Sequence, residues 1–375
     1  MKLTVLDIQT DLRTSSPVIY ARTSIKDYLK LVGEHFYEFS IQRRREKFTA
    51  YTQMREDIIA GTLLPTITLA VPLPATGYIR AACDSQDQGV VAAALVTKSP
   101  LNILDGLQRT FILHELNSSG HHFRDGQSVH LEIRVESDIR QLIYRIIVLN
   151  AGQKPMSMRH QIEILSLSLR DVLTREIPGL ELVPEADAGR RTKARKFALD
   201  RISSAYHAFI IKSPEIEKQN LVAQRLSEQS VLEQEMDQFG EQFLQFVEYF
   251  KLFCQIDDAV DGLPPDGDGV PSATNWLGGE NTINAFFAAV SDFGVDDDRK
   301  QRIKSAIGRL ILEIKEKNSS SPLGLPVFQA IASGFPARKT NIGYATRKLI
   351  LNVFSEYFRK EGSVPLSEFW AKEAE

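Results

Sequence analysis

Cysteine is scarce in this chain. Cys83 and Cys254 are its two, too few to make a zinc cluster by themselves and an implausible basis for a disulfide framework. Histidine is limited too: all seven lie at or before His207, so nothing from position 208 onward can supply an imidazole. There is no run of ~18 apolar residues, which removes the expectation of a membrane span. Charge of one sign is also missing, with 45 Lys and Arg against 48 Asp and Glu and a net of −3. That balance excludes a wholly basic, histone-like nucleic-acid binder while leaving room for a local basic face. Asp7 interrupts the opening Met-Lys-Leu-Thr-Val-Leu too early for a secretory apolar segment. A cytoplasmic protein is the expectation. What is present is ordinary for a globular chain: 43% hydrophobic and 25% charged residues over 375 positions, enough for two domains.

One stretch stands out, Ile103-Leu-Asp-Gly-Leu-Gln-Arg109. The apolar run Leu101, Ile103 and Leu104 reads as a strand that stops at Asp105-Gly106. Apolar side chains at 107, 111, 112, 113 and 116 then fit a buried helix. A strand, a glycine turn and a helix start make an anion site, because first-turn amides lack intrahelical partners and the dipole favours negative charge. Arg109 can hold a phosphate bidentately, and Asp105 can bind a metal ion or orient a water. Asp-Gly at such a junction is also ordinary turn chemistry, so the other pieces of the chain decide.

Before that stretch, residues 24–60 read as helical in two pieces. Ser24 caps Ile25-Lys-Asp-Tyr-Leu-Lys-Leu-Val, which stops at Gly33, and an amphipathic run from Phe48 to Ala60 stops at Gly61. Thr66–Val71 alternates as a strand. Residues 72–89, with Pro, Gly and polar side chains, are expected to form a surface loop, and 90–96 fits helix or strand equally. Val129–Val135 is a further strand. Helices are expected at 138–148 and 157–173, and then at about 192–212, 216–228, 230–256, 281–291, 297–317, 322–333 and 344–360. The acidic, Gly- and Pro-rich segment 257–279 reads as an exposed loop. Its aspartates lack the order of an EF-hand, and Asp292-Phe-Gly294 lacks the companion motifs of a kinase. Trp276 and Trp370 are expected to anchor the helical part. The fold class expected is α+β, with a mixed domain over 1–180 and a helical domain over 190–375.

Three features occur in order: Gln42-Arg43 followed by Gly61-Thr-Leu-Leu-Pro65, then Asp105-Gly-Leu-Gln-Arg109, then Asn150-Ala-Gly152-Gln-Lys-Pro-Met-Ser157. Over residues 20–175 this order resembles the ParB/sulfiredoxin-like superfamily. The closer likeness is to its DGQQR or DGQHR branch, which includes the N-terminal domain of GmrSD restriction enzymes and the DndB and DpdB proteins. The resemblance implies a nucleotide pocket binding ATP or another NTP with Mg2+. In it Gln42, Arg43, Gly106, Gln108, Asn150 and Gly152 would contact the nucleotide. Asp105 and Arg109 would be catalytic, and Asp105 would also hold the metal. Position 107 departs from the pattern, being Leu where relatives carry Gln or His, with His114 the nearest polar replacement. Two branch chemistries are absent: no Cys lies in the Gly-x-x-Arg segment for sulfiredoxin activity, and no downstream His serves a His-Asn-His nuclease.

The segment Gly189–Arg201 packs six basic residues against one acid. Arg190, Arg191, Lys193, Arg195 and Lys196 are candidate phosphate contacts for DNA, tRNA or the bound nucleotide, against the plainer reading of a solvated helix start. The resemblance implies an ATP- or other NTP-hydrolysing component of a 7-deazaguanine-type DNA-modification or phage-defence system, working with a partner DNA-modifying enzyme. The alternatives are a DndB-like DNA-binding regulator and a nucleotide-sensing restriction subunit.

Overall fold

The computed structural model describes residues 1–33, 49–138, 141–142, 170, 172–183, 189, 191, 193–215, 232–335 and 341–373. The chain divides into two compact units, Met1–Val172 with Leu221–Gly240, and Leu173–Asn220 with Glu241–Glu375.

The first unit is built on a five-stranded sheet. Its strands are β1 (Leu3–Asp11), β2 (Ser16–Ser24), β3 (Ile67–Ala70), β4 (Asn102–Asp105) and β5 (Ser128–Arg134), in spatial order β1-β2-β5-β3-β4. All neighbours are antiparallel except β3 and β5, which are parallel with Leu69 opposite Ile133. The helices are α1 (Ile25–Val32), α2 (Thr49–Ala60), α3 (Thr76–Asp84), α4 (Gln88–Thr97) and α5 (Leu107–Ser118). Their apolar faces join the inward side chains of the strands in one core that includes Ile19, Tyr28, Ile67, Leu69, Val91, Ile112 and Leu131.

Local signals explain several boundaries. The Ser24 hydroxyl accepts a hydrogen bond from the Asp27 amide and caps α1, while Gly33 ends it at φ 65°. Gly61, at φ 94°, ends α2, and the Thr62 amide donates back to the Asp57 carbonyl. The segment 72–89 is not the expected surface loop. A 3-10 turn (Leu73–Ala75) leads into α3, and Asp87 then caps α4 through the Gly89 and Val90 amides. Pro74 lies in the first turn, where the missing N–H costs nothing, and Ile79 and Cys83 bury one face of α3.

The second unit is mostly helical, with α6 (Leu199–Ile211), α7 (Leu232–Ala259, from Glu241 onward in this unit), α8 (Ala273–Leu277), α9 (Glu280–Phe293), α10 (Asp297–Lys317), α11 (Leu325–Ser333), α12 (Ile342–Arg359) and α13 (Leu366–Lys372). A two-stranded parallel sheet, β6 (Glu181–Val183) and β7 (Lys196–Ala198), precedes them. The expected helix over 192–212 therefore begins only at Leu199. The expected loop over 257–279 is shortened at both ends, by the last turn of α7 and by α8. Helical spacing puts Phe243, Phe246, Phe250 and Phe253 on one buried face of α7. The Phe246 ring lies 5.1 Å from Tyr206, 5.9 Å from Phe250 and 4.7 Å from Phe287. The two tryptophans anchor this unit as expected. Their rings are 6.2 Å apart, and Trp370 Nε1 donates to the Leu323 carbonyl at 2.8 Å.

Phe246→Ala is expected to lower stability by ~3–5 kcal/mol, and Leu312→Ala, at a side chain 59% exposed, to change it by no more than ~0.5 kcal/mol. Urea unfolding followed by tryptophan fluorescence measures both.

Candidate functional site

β4 ends at Asp105, paired across the sheet with Thr68 of β3. Gly106 follows at φ 98° and is the N-cap residue of α5, with no side chain to cap the first-turn amides. Only glycine suits this position. A Cβ here would stand 3.0 Å from Ile67 Cγ1 and 3.1 Å from its Cγ2, in a conformation that already strains any other residue.

Arg109 fixes the turn from outside. Its Nη1 donates to the carbonyls of Pro65 (2.6 Å) and Thr66 (3.0 Å), and its Nη2 to Asp105 Oδ2 (2.7 Å). One guanidinium thus ties the start of α5 to the end of β4 and to the approach to β3. Of its five N–H donors, Nε–H and the second Nη2–H have no partner among the described residues. The side chains of Arg109 and Asp105 are 12% and 22% exposed, so the pair sits at the edge of solvent. Thr110 holds the turn from inside: its hydroxyl donates to the Gly106 carbonyl at 2.9 Å and lies 2.6 Å from the Tyr28 hydroxyl of α1. Burial pushes the Tyr28 phenol well above its ordinary range, so it stays protonated.

The remaining expected contacts separate clearly. Gln108 is exposed at the start of α5. Leu107 is partly buried and packs against the core, so an apolar side chain suits the place where the polar residue of the pattern was expected. His114 lies four residues before Ser118 on α5, its Nδ1 3.5 Å from the Ser118 hydroxyl. Gln42, Arg43, Asn150 and Gly152 lie outside the described residues, as does Arg190. Among the described residues no group of three or more His, Cys, Asp or Glu is placed to hold a metal ion. Asp105 brings one carboxylate to the turn. Burial pushes the Cys83 thiol up to about 11 and the Cys254 thiol higher still, so neither is poised as a thiolate.

Among the described residues of the basic segment, Arg191, Lys193, Arg195 and Lys196 form ion pairs within the second unit. Arg191 is 8% exposed and Asp257 is wholly buried. Their pairing is bidentate, with Nη1 on Oδ1 at 2.8 Å and Nη2 on Oδ2. Arg191 also donates to the Lys196 and Thr274 carbonyls and lies over the Phe197 ring, 4.1 Å from its centroid. Burial pushes the Asp257 carboxyl up, and Arg191 opposes that rise. Arg195 pairs with Asp258, which raises its own pKa. Lys193 and Lys196 pair with Glu181 and hold its carboxyl below the usual range. Asp257, expected in an exposed loop, is thus a core residue, and Arg191 is a core cation rather than a surface phosphate contact.

Compared with known proteins, the chain matches no family model, no curated protein and no solved structure. No helix among the described residues is long and apolar enough to cross a membrane.

Two consequences can be measured. Gly106→Ala is expected to cost ~1–3 kcal/mol from backbone strain alone. Asp257→Ala, which strands a buried guanidinium, is expected to cost ~3–5 kcal/mol, whereas Lys193→Ala at the surface should shift the urea midpoint little.

Proposed function

We propose that the first unit binds a nucleoside triphosphate at the Gly106 turn and hydrolyses it, ATP being the expected substrate. The turnover would serve a partner enzyme acting on DNA in a modification or defence system. The reading rests on one observation, the uncapped start of α5 behind a glycine at φ 98°, with Asp105 and Arg109 beside it. Support also comes from the ordered motifs at Gln42-Arg43, Asp105–Arg109 and Asn150–Gly152, which resemble the DGQQR or DGQHR branch of the ParB/sulfiredoxin-like superfamily.

In this scheme a phosphate accepts from the first-turn amides, whose dipoles favour an anion. Gly106 offers no side chain to obstruct the approach. The remaining N–H donors of Arg109 steady the charge that develops on the transferring phosphoryl group. Asp105, paired with Arg109, orients the attacking water. Leu107 contributes its amide and lends its side chain to the core.

The test is phosphate release from ATP and magnesium by the purified chain, with and without DNA. Asp105→Ala and Arg109→Ala are each expected to lower kcat/KM by about 10²-fold, with circular dichroism reporting that the fold is kept. Absence of hydrolysis under every condition, together with salt-sensitive binding to DNA, would replace this reading with that of a DNA-binding regulator.

A further inference from the structure

We draw no further inference here: the strongest candidate, the cleft at the carboxyl ends of β6 and β7 lined by Arg191, Lys196, Arg201 and Gly278, carries nothing because Asp257, Glu181 and the Gly278 carbonyl already engage those cations.

Discussion

The turn between β4 and α5 depends on one guanidinium. Arg109 bonds two carbonyls from the approach to β3 and the carboxylate that ends β4, and it does so from the first turn of α5. A charge-assisted bond is stronger than a neutral one, and here three of them converge on one planar group. Lysine has a single nitrogen at its tip and could not span the same three acceptors. The left-handed Gly106 residue, the pairing of Thr68 with Asp105 and the direction of the helix all lie within reach of that group. The interior side of the turn is closed differently, by neutral hydroxyls in a dry core. Charge faces the solvent edge and uncharged hydrogen bonds face the core, as the cost of burying charge requires.

The second unit breaks that rule at Arg191 and Asp257, and the break is instructive. Removing two ions from water costs several kcal/mol per ion, so a buried pair survives only where nearly every donor and acceptor is used. That condition is met. Arg191 adds two carbonyls and an aromatic face to the carboxylate, and Asp257 adds the Arg195 amide. The pair joins the approach to β7 to the last turn of α7 and to α8. With either partner alone, the other would be an uncompensated charge in the core. A run of six basic residues therefore says little about nucleic acid until the opposing carboxylates are located.

Legibility followed the range of the interaction that decided each feature. The strand, turn and helix around Asp105–Arg109 were readable because apolar spacing and a glycine settle them within fifteen residues. The stop signals at Gly33 and Gly61 were local for the same reason. Strands β1 and β2 were not read. β1 loses its alternation at a bulge after Val5, and β2 is buried on both faces from Ser16 to Ile19, so neither has a period of two. Segment 72–89 was misread because its proline and glycine sit at helix starts, where they do no harm. The Arg191–Asp257 pair spans 66 positions, and nothing in the spacing of either residue announces the other. The sidedness of Thr110, with its hydroxyl turned to Tyr28, was equally hidden. Of the site expected from sequence, Asp105, Gly106 and Arg109 come together, with the Pro65 carbonyl of the Gly61–Pro65 motif bonded to Arg109; Gln42, Arg43, Asn150 and Gly152 lie outside the described residues.

On the proposed reading, the ligand-facing part of the turn is mostly main chain, and this changes how position 107 should be weighed. An amide is present whatever the side chain, so replacing a polar residue by Leu removes at most one auxiliary contact. It also gains apolar packing, since Leu107 lies against the core that includes Ile67 and Ile112. The residues that set the backbone here are Gly106, with a positive φ and no Cβ, and Arg109, which bridges three acceptors. A site of this kind leaves a faint trace in sequence, because the residues that shape its backbone also have structural reasons to exist. The same economy separates binding from turnover. Amides and a helix dipole suffice to hold phosphate, but hydrolysis also needs a water placed in line, a role the proposal assigns to Asp105. The demand on Asp105 is strict: its Oδ2 is held by Arg109, so any water it orients must be reached without breaking the bond that keeps the turn in shape.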